Sequence, residues 1–314
     1  MARLGDTDLD VFPVCLGGNV FGWSLEEEGS FEVLDAYVAA GGNFIDTADV
    51  YGRRGQDGPG SSERIIGRWM AARGNRDELV IATKVGMGAD ASGLSAATIE
   101  RGLSASLERL GTDRVDLYYA HQDDPATPLR ETLGAFAREI AAGRIRHAGA
   151  SNYTAARLRE AVAVGAEDGM AAYVALQPHY NLMERAAYEG DLERTCAQAG
   201  LACLPYFALA RGFLTGKYRR DGAEVASPRA GGVREAYLND RGEAVLAALD
   251  DVAQETGAPH AAVALAWLLA QPTVVAPVAS ATSPQQLAEV LAAATLELTP
   301  EQLAALDAAS AAPA

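Results

Sequence analysis

Short apolar runs recur along the chain, bounded by Gly, Asn, Asp or Pro and mostly followed by a segment of helical period. Eight such runs stand out: Val14–Gly17, Asn43–Asp46, Val80–Lys84, Val115–His121, Ala148–Ser151, Tyr173–Gln177, Leu201–Tyr206 and Val274–Val278. Their shortness and their content of Val, Ile, Leu and Tyr are those of strands buried on both faces. Between them, Ser30–Ala40, Ser95–Leu110, Leu129–Ala142, Thr154–Val164 and Arg185–Gly200 carry an apolar stripe at helical spacing. Ser283-Pro284-Gln285-Gln286 and Thr299-Pro300-Glu301-Gln302 have the form of capping boxes with Pro at the first helical position. Strands alternating with helices imply a parallel sheet. Eight such units at near-regular spacing predict an α/β fold, a (β/α)8 TIM barrel, with residues 1–314 as a single domain. An open doubly wound sheet is the alternative.

The spacing breaks once, in a long loop between the seventh and eighth runs. The stretch from Arg211 to Arg241 holds seven basic residues (Arg211, Lys217, Arg219, Arg220, Arg229, Arg234, Arg241) against four acidic ones (Asp221, Glu224, Glu235, Asp240). It is also threaded with Gly212, Gly216, Gly222, Gly231 and Gly232. Long glycine-bearing loops often act as lids, and basic residues near the last two strands of a barrel suit a phosphate. A solvated loop with incidental charges is the plainer reading.

The ends of the runs carry the chemistry. Asp46 ends the second run with Tyr51 five residues on, Lys84 ends the third and His121 the fourth. An unpaired charge is expensive to desolvate, and Lys is almost never fully buried without a partner. Taken singly, each has a bland explanation: a helix cap, a loop aromatic, a core histidine. In a barrel, however, strand C-termini converge on the active site. Asp, Tyr, Lys and His together make a proton-transfer site. A free tyrosine has a pKa of about 10; a neighbouring ammonium favours the phenolate, so Lys84, held by Asp46, is expected to lower that of Tyr51. His121 can donate to a substrate oxygen from the other side. The product is an acid poised over a carbonyl that becomes an alkoxide. No side chain donates hydride, so the reaction calls for a nicotinamide. Ser151, Asn152 and Gln177 offer donors and acceptors for its carboxamide, and Tyr206 a flat face for its ring.

Composition narrows the alternatives. A net charge of −16 argues against nucleic acid or an anionic membrane as partner. The longest apolar run, Ala261 to Ala270, is too short to span a bilayer. The N-terminus lacks the apolar core of a signal peptide, and Cys15, Cys196 and Cys203 have no metal-type spacing, so a cytoplasmic protein with reduced thiols is expected. The four histidines, His121, His147, His179 and His260, include no pair at i, i+4, and no metal site is expected. Gly86-Met87-Gly88-Ala89-Asp90-Ala91 matches a dinucleotide fingerprint, but it follows the third strand and reads as a loop.

Gly42-Asn43-Phe44-Ile45-Asp46-Thr47-Ala48-Asp49-Val50-Tyr51-Gly52, Ile81-Ala82-Thr83-Lys84 and Asp116-Leu117-Tyr118-Tyr119-Ala120-His121 are followed in order by three further motifs. These are Ala150-Ser151-Asn152-Tyr153, Leu176-Gln177-Pro178 and Ala210-Arg211-Gly212-Phe213-Leu214-Thr215-Gly216-Lys217-Tyr218. Over nearly its whole length the chain resembles the aldo-keto reductase superfamily. The resemblance implies a tetrad of Asp46, Lys84 and His121 around Tyr51 as general acid, with a small carbonyl or alcohol as substrate. It places Ser151, Asn152 and Gln177 at the carboxamide, Tyr206 on the nicotinamide, Leu209, Gly212 and Lys217 along the pyrophosphate, and Trp23 in the substrate pocket. Ser280, Thr282 and Gln286 fall where relatives often carry the cation for an adenosine 2′-phosphate. NADPH is the expected cofactor; NADH or dual use is the alternative, because neutral bonds are weaker than charge-assisted ones. Phe207 stands where relatives often carry Ser. Two rival functions remain at this level: a Schiff-base lyase using Lys84 as nucleophile, and a cofactor-sensing subunit without turnover.

Overall fold

The structure is a computed structural model, which describes residues 1–52, 55 and 57–311. Its main sheet has eight strands: β1 (Cys15–Gly17), β2 (Phe44–Asp46), β3 (Val80–Val85), β4 (Val115–Ala120), β5 (Ile145–Ser151), β6 (Tyr173–Gln177), β7 (Ala202–Cys203) and β8 (Val278–Ala279). Every pairing within it is parallel, in the order β7-β6-β5-β4-β3-β2-β1-β8. The segment leading into β8 closes the ring. Val274 bridges Cys203, Val275 N–H donates to Cys203 O at 3.0 Å, and Val278 and Ala279 then pair with Cys15 and Leu16 of β1. The architecture is the (β/α)8 barrel.

The last two strands are shorter than the apolar runs suggest, for a local reason. Proline brings no N–H to a ladder, and Pro205 and Pro277 interrupt the runs Leu201–Tyr206 and Val274–Val278. Pairing continues around them: Leu204 N–H reaches Leu176 O at 2.9 Å, Tyr206 N–H reaches Pro178 O at 2.9 Å, and Pro277 O accepts from Cys15 N–H at 3.0 Å.

Helices α1 (Glu27–Ala39), α2 (Ser61–Arg73), α3 (Ala96–Leu110), α4 (Leu129–Ala141), α5 (Ala155–Gly165) and α6 (Asp191–Gln198) alternate with the first seven strands. Ser95 and Thr154 accept from the backbone of Thr98 and Arg157 to cap α3 and α5. The predicted helix from Arg185 begins only at Asp191, because Gly190 sits at φ 96°, outside helical space. The long β7–β8 connection holds a 3₁₀ segment (Ala210–Thr215) and helices α7 (Ala230–Tyr237), α8 (Asp240–Thr256) and α9 (His260–Leu269). After β8 come α10 (Pro284–Leu291) and α11 (Pro300–Ser310). Thr299 forms a full capping box with Gln302. Ser283 caps α10 with its hydroxyl only, since the Gln286 side chain turns to Thr282 instead.

Burial sorts the strands by parity, as a period of two requires. Phe44, Val80, Ala82, Leu117, Tyr119 and Ala175 fill the barrel interior. Ile45, Ile81, Val85, Tyr118 and Leu176 point outward against the helices. An antiparallel hairpin (Ala2–Arg3 with Asp10–Val11) brings Leu4, Leu9 and Val11 into the interior cluster and plugs one end. The Gly86–Ala91 stretch forms a second hairpin, Met87–Gly88 against Ala91–Ser92, rather than a strand-to-helix phosphate turn. No helix among the described residues is long and apolar enough to cross a membrane.

Candidate active site

The interior parity runs on to the strand ends. Asp46 follows Phe44, Lys84 follows Ala82, His121 follows Tyr119 and Gln177 follows Ala175, each two residues on and so on the inner face. At this end of the barrel the hydrocarbon filling gives way to polar groups. Lys84 is fully buried, and its Nζ donates to Asp46 Oδ2 at 2.6 Å, to the Thr47 carbonyl at 2.9 Å and to the Tyr51 hydroxyl at 3.2 Å. All three ammonium protons thus have acceptors. Asp46 is held on its other oxygen by Gln177 Nε2 at 2.9 Å. The His121 ring stands edge-on to the Tyr51 ring, centroids 6.2 Å apart.

Burial alone disfavours the charged form of Lys84, but the Asp46 carboxylate and the Tyr51 oxygen outweigh it and raise its pKa. Lys84 is therefore an ammonium, the wrong state for a Schiff-base nucleophile. The Tyr51 pKa is raised, not lowered as the neighbouring ammonium suggested. Burial of the phenol is the largest cause; Lys84 opposes it, and the Asp46 charge cancels part of the Lys84 effect. Tyr51 is a protonated acid held against a permanent cation.

A cleft of about 780 Å³ opens beside this group. It is lined near Tyr51 by Trp23, Asp46, His121, Ser151, Asn152, Gln177 and Tyr206, farther along by Leu209, Gly212 and Lys217, and at the far end by Ser280, Thr282 and Gln286. Every site residue expected from the sequence lines the cleft except Lys84, which lies beneath it. Side-chain bonds tie the polar set together. Ser151 Oγ donates to the Gln177 carbonyl at 2.8 Å, Asn152 Nδ2 to the His121 carbonyl at 2.8 Å, and the Tyr206 hydroxyl to Asn152 Oδ1 at 2.9 Å. Asn152 holds a left-handed backbone, φ 57°, to do this.

The donor set fits a dinucleotide. Amides and hydroxyls beside an aromatic face suit a carboxamide ring. Gly17 lines the cleft where a Cβ would come within 2.7 Å of Ser280 Oγ. Lys217 has no ion-pair partner among the described residues, and partial burial together with Arg229 lowers its pKa. The Lys217 ammonium, with the Arg229 charge near enough to depress its pKa, favours an anion such as a diphosphate along this part of the cleft. At the far end Gln286 Oε1 accepts from Thr282 N–H at 3.1 Å and from the Thr282 hydroxyl at 2.9 Å. Ser280 Oγ is turned to Asn19 Oδ1, at 2.6 Å.

Residues 13–311 match the family model described as Aldo/keto reductase family. The chain belongs to the aldo/keto reductase family. It is 34% identical to the Bacillus subtilis (strain 168) protein named uncharacterized oxidoreductase YrpG, over 97% of this chain and 94% of that one. It is 31% identical to aryl-alcohol dehydrogenase [NADP(+)] of Phanerodontia chrysosporium, over 94% of this chain and 81% of the relative. A norsolorinic acid reductase of Emericella nidulans is 30% identical over 93% of this chain and 76% of its own length. As a member of this family of oxidoreductases the protein is an enzyme.

Several features of this aldo/keto reductase were not expected. Arg219, counted among the basic residues of the long loop, faces away from the cleft and pairs with Asp250 at 2.6 Å, where His260 also binds. Arg220 pairs with Asp240, and Arg241 caps the carbonyls of Met183 and Ser310. Only Arg211, Lys217 and Arg229 of the seven line the cleft. Glu289, one turn beyond Gln286, brings a carboxylate to the far end; its i, i+3 spacing from Gln286 was the available signal. His179 stacks on Tyr206 at 5.2 Å between centroids and 15° between planes. Asp49, two residues before Tyr51, is buried with neither carboxylate oxygen hydrogen-bonded among the described residues. Burial, reinforced by Glu63, pushes its pKa up to about 7. Among the described residues no group of three His, Cys, Asp or Glu side chains is placed to hold a metal ion.

Proposed function

We propose that this enzyme reduces aldehydes or ketones to alcohols, reversibly, with Tyr51 as the general acid and NADPH as cofactor. The observation that carries the reading is the chain Asp46–Lys84–Tyr51, linked at 2.6 and 3.2 Å at the open end of the barrel. The bound nicotinamide supplies the hydride that no side chain can. Tyr51 gives its proton to the carbonyl oxygen as charge develops there. Lys84 then neutralises the phenolate, and Asp46, braced by Gln177, keeps Lys84 charged and in place. His121 donates to the substrate oxygen from the side opposite Lys84. Ser151, Asn152 and Gln177 hold the carboxamide, Tyr206 covers the ring, Leu209, Gly212 and Lys217 follow the diphosphate, and Trp23 walls the substrate. The same reading makes the chain one barrel domain acting in the cytoplasm, in keeping with its buried free thiols Cys15, Cys196 and Cys203.

NADPH rests on the aryl-alcohol dehydrogenase relative, whose name carries NADP(+). A second reading, NADH, is favoured by the far end itself, where Thr282, Gln286 and Glu289 supply no cation and one carboxylate. Fluorescence titration with both cofactors, followed by turnover of simple aldehydes, tests the function. Tight NADPH binding with turnover is the expected result. NADH binding with turnover establishes the second reading. Binding with no turnover of any carbonyl compound defeats the reductase and leaves a cofactor-sensing subunit.

A further inference from the structure

The main cleft continues past Tyr51 into an adjoining lobe, and Trp23, Val50, Tyr51, Phe207, Arg211 and Arg229 line both. Ser151, Gln177, Lys217, Ser280 and Gln286 line the main cleft, and none of them reaches the lobe, of about 400 Å³. It therefore holds the acid–base hydroxyl without the amides of Gln177 and Gln286, the hydroxyls of Ser151 and Ser280 or the Lys217 ammonium. In a chain of net charge −16, no Asp or Glu lines the lobe among the described residues.

The two cations among its described lining residues lie against aromatic walls. The Arg211 guanidinium lies 5.0 Å from the Phe207 ring centroid, and that of Arg229 lies 4.9 Å from the Trp23 ring centroid. For Arg211, contact with the ring face uses none of the five N–H donors of the guanidinium. Arg211 has neither a hydrogen bond nor an ion pair from its side chain among the described residues. Its backbone sits at φ 59° between Ala210 at 47° and Gly212 at 97°. Left-handed conformations at non-glycine residues are costly and concentrate where a site needs a side chain aimed.

We propose that the lobe holds the non-reacting end of the substrate, and that the preferred substrates are carbonyl compounds that also carry a carboxylate. Arg211 holds the carboxylate, for which its planar fork of donors is the best match among side chains, and the charge of Arg229 beside it adds to the attraction. The carbonyl oxygen is thereby set at Tyr51, and the inference rests on the role assigned to Tyr51 above. The reaction itself is unchanged. Hydride adds to the carbonyl carbon with its electron pair, the C–O π pair moves to oxygen, and oxygen takes the Tyr51 proton.

The test compares 3-(4-formylphenyl)propanoic acid with its methyl ester, which differ in charge but, with two methylenes insulating the carboxyl from the ring, little in carbonyl reactivity. For the native enzyme kcat/KM is expected to favour the acid by at least about tenfold, the worth of a charge-assisted bond. In Arg211→Met and in Arg211→Met/Arg229→Met the ratio of acid to ester falls toward one, through a higher KM for the acid. Arg211→Lys falls between. Equal kcat/KM for acid and ester in the native enzyme overturns the inference and leaves the reductase standing. So does an equal loss on both substrates accompanied by weaker cofactor binding, since the arginines then serve the diphosphate. Turnover of neither aldehyde by enzyme that binds cofactor removes the Tyr51 role, and this inference falls with it.

Discussion

At the scale of single residues the site turns on a buried ion pair. Lys84 and Asp46 are each almost fully buried, and each is stabilised by the other. Removing one partner of such a pair costs about 3–5 kcal/mol, whereas removing both is far milder. Lys84→Met is therefore expected to lower stability by about that amount, and Lys84→Met/Asp46→Asn to recover most of it. Urea unfolding measures this, and a single variant as stable as the native enzyme contradicts the pairing. Asp49 makes a second test. Its folded pKa of about 7 lies above the ordinary 3.8, so the folded state binds the proton more tightly than the unfolded chain. The stability this contributes is full below the unfolded value and is lost as pH rises through about 7. Asp49→Asn, neutral at every pH, should be more stable than native enzyme at pH 8 by up to about 4 kcal/mol, with the gap closing near pH 4. A gap independent of pH counts against a protonated Asp49.

At the scale of elements, the strand ends were the most legible part of the chain. Asp46, Lys84, His121 and Gln177 each terminate an apolar run, and a ladder of period two sends every one of them inward. The pKa direction of Tyr51 was not legible. It depends on how deeply the phenol is buried and on Asp46 offsetting Lys84, neither of which spacing along the chain expresses. The extents of β7 and β8 were hidden as well, because Pro205 and Pro277 break ladders that the apolar pattern continues through. The β7–β8 connection was recognisable as basic and glycine-bearing, yet a count of charges does not say which acid faces which base. Asp250 on α8 takes Arg219, while Lys217, two residues earlier, lines the cleft. Lys217→Met is accordingly expected to weaken cofactor binding by roughly tenfold, the worth of one charge-assisted bond, and to reduce its salt dependence. An unchanged dissociation constant would remove this loop from the cofactor site.

The whole molecule combines an acidic exterior with a cationic mouth. A net charge of −16 repels anions at long range, and Arg211, Lys217 and Arg229 present the opposite sign at the opening. The ring closes only because the segment leading into β8 reaches β7 at Val274 and β1 at Val278. That closure brings residues as distant as Asn19 and Ser280 into one hydrogen bond, at 2.6 Å, on the wall of the cleft. The task proposed for this barrel is delivery of a proton from Tyr51 to a carbonyl oxygen. The direct measurement is single-turnover oxidation of enzyme-bound NADPH by an aldehyde, across pH, in native enzyme and in Tyr51→Phe. With the Tyr51 pKa raised, the native rate should hold steady from neutrality and fall only above the ordinary tyrosine value of about 10. Tyr51→Phe should bind NADPH as well as native enzyme and be slower by about 10²–10⁴-fold. A Tyr51→Phe rate within a few-fold of native, or a native rate that falls near neutrality, contradicts the account.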